Sequence, residues 1–293
     1  MKTILGINHQ FLYPDAMVNA KAHTDSIKEI SAFDNIDAID CWLWRGSNAK
    51  EEAAILRDSG KIINYNIGDR FGEDVCKPAS DSIAEREYAY SKIMREIEYA
   101  LNLDSKKIVF ASGPDFPSDR HGATDRFFEF VIKLLSQIPD DVTLALEPTD
   151  RDIDKHFLLG PLDETVSFIK RVRTAGGNNF GLLLDMCHVP LMHETLDSSL
   201  EKAKDTLVHI HLGNCMLKDK NDTLYGDKHP AWGYTGGEYA EAEAVYFIKK
   251  LRGHGYIATP NNTVTFEMRR IHGRGAKESL DEFVRIWNRG LSE

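Results

Sequence analysis

The sequence predicts an α/β fold, a single closed (β/α)8 barrel of the TIM type spanning residues 1–293, and three observations lead to it. Eight short apolar runs alternate with stretches whose apolar residues recur at three- and four-residue steps, the patterns of buried strands and amphipathic helices. Several of the runs carry polar chemistry only at their C-terminal ends, as strands buried on both faces of a parallel sheet do. At 293 residues the chain has room for eight such units, and eight alternations over this length favour closure over an open sheet.

Taken in order, residues 3–8 form the first strand, followed by His9, and residues 25–33 have helical character. Residues 35–44, ending in Trp42-Leu43-Trp44, are the second strand, and 49–58 a helix. Ser59-Gly60 closes that helix, since glycine suits the position just past a helix C-terminus. The third strand covers 61–67. The clearest helix lies between 81 and 103, with Ile83, Tyr90, Ile93, Met94, Ile97 and Leu101 on one face. Residues 106–112 are rich in β-branched and aromatic types and form strand four. A helix over 125–137 presents Phe127, Phe128, Val131, Leu134 and Leu135 on one side. Strand five ends at Glu147, because Pro148 has no N–H to extend the ladder. Helices over 163–174, 196–204, 238–252 and 277–288 then alternate with strands six to eight at 180–184, 207–211 and 264–267.

Hydrophobic residues at 42% and charged residues at 28% are ordinary values for a chain that folds around a core, and no linker divides it. A net charge of −10 works against binding a phosphate backbone, which depends on clusters of Lys and Arg. Nucleic acid is therefore a disfavoured partner, and none is expected. Cys41, Cys76, Cys187 and Cys215 lack the paired spacing of a zinc ribbon or a disulfide framework. That pattern fits a reducing compartment. The chain enters a strand at once, without a leader pattern, and no apolar run approaches the roughly 18 residues of a membrane span. The expected location is cytoplasmic, with no membrane association.

The chemistry concentrates at four strand ends, where Glu147, Asp185, His211 and Glu267 follow or close successive apolar runs. Any one acidic residue past a strand reads equally well as a turn or helix cap, but four on consecutive strands share one rim. Three carboxylates and an imidazole suit a divalent ion such as manganese, cobalt, magnesium or zinc, and a cation is the simplest way to keep crowded carboxylates ionised. An open position on that ion would take two oxygens of a hydroxy-ketone, polarise its carbonyl and stabilise the enediolate left by proton removal. Glu147 and Glu267, on non-adjacent strands, are the pair to remove and return that proton.

Other residues offer substrate contacts. His188, three residues after Asp185, either holds a substrate hydroxyl or caps the barrel. His209 is expected to face the helices as a structural residue. The connection after His211 is long enough to be functional, and within it Asp227 and His229 are expected to contact substrate, with a second metal as the alternative. Trp42, Trp44 and Trp232 pack against a sugar face or anchor core and loops. Arg151, Arg269 and Arg270 are candidates to orient a hydroxyl-rich or anionic ligand. His9 and Cys187 receive no catalytic role.

The segments Leu146-Glu147-Pro148-Thr149-Asp150-Arg151, Leu184-Asp185-Met186-Cys187-His188, His209-Ile210-His211 and Phe266-Glu267 resemble the xylose-isomerase-like TIM-barrel superfamily, especially its sugar epimerases and ketose 3-epimerases. The resemblance implies one divalent metal, most often manganese or cobalt, held by Glu147, Asp185, His211 and Glu267, with the two glutamates exchanging the proton. It also implies a sugar isomerase or epimerase. Two departures from the ketose 3-epimerases stand out: Ile153 stands where they have a further Glu, and Met216 and Leu217 occupy the neighbourhood where they have an Arg. The Asp227-Lys228-His229 loop with Gly236-Gly237-Glu238 is similar instead to C-glycoside deglycosidase catalytic subunits, lyases that cleave 3-oxo-glycosides beside a small β-rich partner subunit. The partners implied are a sugar or sugar derivative and either a second copy of the chain or such a subunit. The endonuclease-IV-like branch is set aside, because strands two and three end in Trp44-Arg45 and Ile67-Gly68 rather than histidine ligands. A barrel that binds metal or sugar without turnover is the non-enzymatic alternative.

Overall fold

In the computed structural model, which describes residues 3–68, 71 and 76–292, the eight apolar runs become β1 (Ile4–Asn8), β2 (Ala38–Cys41), β3 (Ile62–Asn66), β4 (Lys107–Phe110), β5 (Thr143–Leu146), β6 (Phe180–Asp185), β7 (Leu207–Leu212) and β8 (Thr263–Phe266). They follow one another in chain order as a closed barrel, and the connecting segments are mainly helical. Among the described residues the α-helices are α1 (His9–Leu12), α2 (Ala20–Ser31), α3 (Asn48–Asp58), α4 (Ile83–Asn102), α5 (Arg120–Leu135), α6 (Leu162–Thr174), α7 (His188–Leu191), α8 (Leu196–Ala203), α9 (Glu241–Gly253) and α10 (Ala276–Ser292). The α/β fold class and the barrel expected from the sequence are thus observed.

Where element boundaries differ from the sequence pattern, local hydrogen bonds explain the difference. Strand β2 stops at Cys41 rather than Trp44, because the Trp44 N–H donates to Glu52 Oε2 at 2.7 Å instead of to a neighbouring strand. Helix α5 starts five residues before the apolar periodicity does. Its cap is Asp119, whose carboxylate accepts the Gly122 N–H at 3.2 Å, a standard way to satisfy an exposed first-turn donor. Helix α9 starts late, at Glu241, because Asn214 holds both the N–H and the carbonyl of Tyr239 in the preceding loop. The one-turn helices α1 and α7 carry too little periodicity to be read from sequence.

Two compact units make up the chain. The first comprises Met1–Ile63, Asp185–Glu201 and His209–Glu293. In it β1 pairs in parallel with β2 and with β8, and β8 with β7, with Gly6 opposite both Ala38 and Thr265. A Cβ at Gly6 would lie 2.8 Å from Thr265 Oγ1, so glycine permits a close approach between these strands. On the outside of this unit, Gly290 of α10 lies against Ile248 of α9, and Arg285 and Arg289 both pair with Glu241.

The second unit comprises Asn64–Leu184 and Lys202–Val208. Here β4 pairs in parallel with β5, and β5 with β6, aligning Val109 with Ala145 and Ala145 with Gly181. Val109, Ala145 and Leu183 form a wholly buried apolar cluster, with Val208 packed on it. The opposite strand faces supply Phe110 and Phe180, which meet Phe127 and Phe168 from α5 and α6; the Phe127 and Phe168 rings stack at 5.1 Å. Burying such rings gives the helices their seat on the sheet.

Candidate metal centre

The four strand-end residues are held by ladder hydrogen bonds that run one step past the strands. Glu147 N–H donates to the Phe110 carbonyl at 2.9 Å, Met186 N–H to the His211 carbonyl at 3.0 Å, and Glu267 N–H to the Leu212 carbonyl at 2.9 Å. Asp185 closes β6 and His211 is the last residue but one of β7. All four side chains belong to buried residues, and Asp185 and His211 are wholly inaccessible. These are the C-terminal strand ends, where barrels of this type carry their chemistry.

The donors converge. His211 Nδ1 lies 2.5 Å from Glu267 Oε2, and Glu267 Oε1 accepts the Asn8 amide N–H at 2.6 Å. Asp185 Oδ1 accepts the Cys187 N–H at 2.7 Å, while Asp185 Oδ2 accepts no hydrogen bond among the described residues. Within the first unit, one ligand atom from each of Asp185, His211 and Glu267 lies within 4.8 Å of the other two. Glycine keeps space beside them: a Cβ at Gly213 would sit 2.8 Å from Asp185 Oδ1, and one at Gly68 3.5 Å from Glu147 Oε2. Burial pushes the Asp185 carboxyl up to about 8; His188, His229 and His211 pull against that rise and Glu267 adds to it. An imidazole nitrogen and a carboxylate oxygen at 2.5 Å repel unless a proton or a cation intervenes. The donor set therefore fits a divalent ion of borderline or hard character.

A second group adjoins the first. Asp227 Oδ1 lies 2.6 Å from His229 Nε2 and 3.2 Å from His188 Nε2, and His229 Nδ1 lies 2.9 Å from the Glu267 carbonyl. His188 Nε2 is 3.6 Å and His229 Nδ1 3.9 Å from Asp185 Oδ2. Asp185, Cys187, His188 and His229 also offer ligand atoms within 4.8 Å of one another. Burial pushes the Cys187 thiol up, which disfavours the thiolate that binds metals. The loop that delivers Asp227 and His229 is braced at several points. Met216 bridges to Gly226 and Gly237, Asn214 donates to the Ala231 carbonyl, and Gly226 and His229 adopt φ of 84° and 52°. The Phe11 ring covers His229 with centroids 3.9 Å apart.

Several candidate residues have other partners. Arg151 grips both carboxylate oxygens of Glu164 and the Leu158 carbonyl. Arg269 donates to the Lys228 carbonyl at 2.7 Å, tying down the loop before His229. Arg270 lines a separate surface cavity with Tyr13, Asp25 and Glu29. Trp232 donates to the Gly213 carbonyl at 3.1 Å and packs on Phe266 and Phe283. Trp42 is buried against His23, with Trp44 beside it.

His209 requires a correction. It does not face the helices but shares a face with His211, because residues two apart on a strand point the same way. Its Nε2 lies 2.6 Å from Asp40 Oδ2, and the same oxygen is 3.0 Å from His211 Nε2. Burial raises the Asp40 carboxyl, but His209 and His211 outweigh it and hold the group well below the usual carboxylate range. Sequence reasoning missed Asp40 and Asn8. The available signal was a carboxylate set inside the apolar run Ala38-Ile39-Asp40-Cys41 and an amide closing the first strand.

Residues 30–286 match the profile of the xylose isomerase-like TIM barrel, and the chain belongs to that family. No curated protein matches it in sequence. Among solved structures it is similar to a D-tagatose 3-epimerase-like protein, at 19% identity over 99% of this chain and 100% of that one, with a TM-score of 0.73. It is also similar to D-psicose 3-epimerase from Clostridium cellulolyticum H10, at 19% identity, coverage of 100% and 97%, and a TM-score of 0.67. The 3-keto-D-glucoside 4-epimerase of E. coli superposes at 15% identity, coverage of 98% and 100%, and a TM-score of 0.66. Among the described residues no helix is long and apolar enough to cross a membrane.

Proposed function

We propose that the protein is a divalent-metal-dependent sugar isomerase or epimerase that removes a proton next to a carbonyl. The observation that carries this reading is the buried convergence of Asp185, His211 and Glu267 in the first unit, with Glu147 buried at the equivalent end of its own strand in the second. Glu147, Asp185, His211 and Glu267 would hold the ion, with manganese the first choice and cobalt, magnesium or zinc the alternatives. When bound, the ion supplies a Lewis acid that polarises the substrate carbonyl and favours loss of the neighbouring proton.

The chain's own residues do the rest. Glu267 is steered by Asn8, whose amide N–H occupies Oε1 and leaves Oε2 on the side of His211. It and Glu147 take the proton from one face of the substrate carbon and return it on the other. His188, Asp227 and His229 would contact the sugar hydroxyls. Their shared hydrogen bonds fix the ring orientations before substrate arrives, so little ordering remains to oppose binding. The epimerase activities named for the structural neighbours accord with this chemistry.

One observation favours a second reading, lyase cleavage of a 3-oxo-glycoside with a partner subunit. The segment after Glu147 is wound around Asp150, whose carboxylate accepts the N–H groups of Ile153, Asp154 and Lys155. That turn places no glutamate at Ile153, the position where the resemblance to ketose 3-epimerases calls for one. Mass spectrometry separates the readings. The manganese-loaded protein is incubated in deuterated water with a panel of ketoses and 3-oxo-glycosides. Deuterium entering a sugar of unchanged skeleton supports isomerase or epimerase; release of the aglycone supports the lyase. Bound metal with neither product would leave a non-catalytic binding barrel.

A further inference from the structure

We infer that Asp40 is a positioning residue for His211: its carboxylate fixes the imidazole tautomer that leaves Nδ1 available to a divalent ion. The inference rests on the metal-dependent reading above and adds a residue to it.

The argument follows from what each atom can donate. A carboxylate oxygen only accepts, and Asp40 Oδ2 lies 3.0 Å from His211 Nε2 and 2.6 Å from His209 Nε2. Both imidazoles must therefore carry their N–H on Nε2. For a neutral His211 that leaves the lone pair on Nδ1, the atom that faces Glu267 Oε2. The rest of the network agrees. Asp40 Oδ1 accepts the Thr265 hydroxyl at 2.9 Å, so the carboxylate cannot rotate away from the two rings without losing a bond. His209 Nδ1 lies 2.5 Å from the Thr263 hydroxyl and 3.2 Å from the Thr263 carbonyl, so it either accepts the hydroxyl proton or, in the imidazolium, donates to the carbonyl, and in both forms Nε2 keeps its proton. Tyr256 in turn donates to the Thr263 carbonyl at 3.0 Å. Glycine at position 6 makes room for Thr265, since a Cβ there would press on its hydroxyl. Asp40, His209, His211, Thr263 and Thr265 are all buried, and bonds of this kind are stronger away from water.

A metal-binding histidine generally relies on such a partner, and losing it costs roughly 10–100-fold in metal affinity. The test compares wild type, Asp40→Asn and Thr265→Val as metal-free proteins. Mn2+ affinity is measured by equilibrium dialysis with a spin-resonance readout, and the imidazole tautomers by 15N NMR of histidine-labelled protein. The expected result is protonated Nε2 on His211 in wild type and a shifted or mixed tautomer in Asp40→Asn. Its Mn2+ affinity should be weakened by roughly 10–100-fold. Thr265→Val should show a smaller loss in the same direction, and it keeps the test open if Asp40→Asn does not fold. Wild-type affinity and an unchanged His211 tautomer in the folded variants would overturn the role of Asp40 alone. A wild type that binds no divalent ion would remove the metal reading and this inference with it.

Discussion

Two faces of the strands in this molecule were filled by opposite solutions. In the first unit, the face shared by His209 and His211 carries Asp40, Thr263 and Thr265, every one buried and hydrogen-bonded to another. In the second unit, Val109, Ala145 and Leu183 pack as an apolar cluster on the strands that end in the candidate carboxylates, while buried Asn64, Asn66 and Lys107 share that face toward β3. Ala145 shares its face with Glu147 and Leu183 with Asp185, by the two-residue period of a strand. A carboxylate that ends an apolar column finds its partners at the strand end, as Asp185 does in the Cys187 N–H, and needs only packing beneath it. An imidazole ligand needs a partner for its second nitrogen, and a buried partner needs partners in turn. The polar column follows from placing histidine at that strand end.

The largest expected effect lies at the strand ends that close each column. Glu147→Gln and Glu267→Gln should each lower turnover by roughly 10²–10⁴-fold, the range for loss of a general acid or base, and weaken metal binding as well. Steady-state deuterium exchange at saturating Mn2+ checks this, and near-normal exchange in either variant removes that residue from the mechanism. Beneath the rim, the apolar column should respond in stability alone. Leu183→Ala opens a cavity at a fully buried site and should cost about 2–5 kcal/mol in denaturant unfolding, with Mn2+ affinity in the folded protein unchanged. Weakened metal binding at full occupancy of the fold would show that the apolar column also positions Asp185, and the contrast between the columns would fail.

Legibility divided along the same line. The candidate ligands that close the apolar runs were visible because a carboxylate or imidazole in that place has no packing role. Asp40 was not, since a single acid inside a four-residue strand resembles the solvent side of an alternating strand, and only the partners on β7 and β8 show that it points inward. His209 was assigned to the wrong face, although period two alone fixes it beside His211. Arg151 and Arg269 illustrate the converse: sequence places them next to ligands, but their guanidinium groups are engaged by Glu164 and by the Lys228 carbonyl. Long-range pairing of this kind has no local signature. The order of the barrel, by contrast, was legible throughout, because strand and helix periodicities differ by nearly a factor of two.

The loop-borne pair extends the comparison from strands to loops. Asp227→Asn combined with His229→Ala removes a charge-assisted hydrogen bond between groups 2.6 Å apart and two hydroxyl contacts proposed for the substrate. Loss of the substrate contacts, about 1.5–3 kcal/mol for a hydrogen bond to a charged group, should raise KM roughly tenfold or more while one metal equivalent stays bound. Metal analysis of the purified variant decides the matter. Should the wild type carry two equivalents and the variant one, the loop would be holding a metal of its own with His188.

The smallest effect concerns His9, which sits wholly buried at the foot of α1 with Nε2 2.8 Å from the Ser26 hydroxyl. Burial, reinforced by His23 at its edge, lowers the imidazole well below its ordinary value. The unfolded chain therefore takes up a proton near pH 6.5 that the folded protein refuses. Above that pH both forms are neutral and His9 contributes no pH dependence; below it, folding stability falls by up to about 1.4 kcal/mol per pH unit until the folded imidazole titrates. Urea unfolding at pH 7.5 and 5.5 should thus show a steeper acid loss in wild type than in His9→Asn, by about 1 kcal/mol. Equal losses would mean that His9 is protonated in the folded state and that the polar packing around α1 tolerates a buried cation.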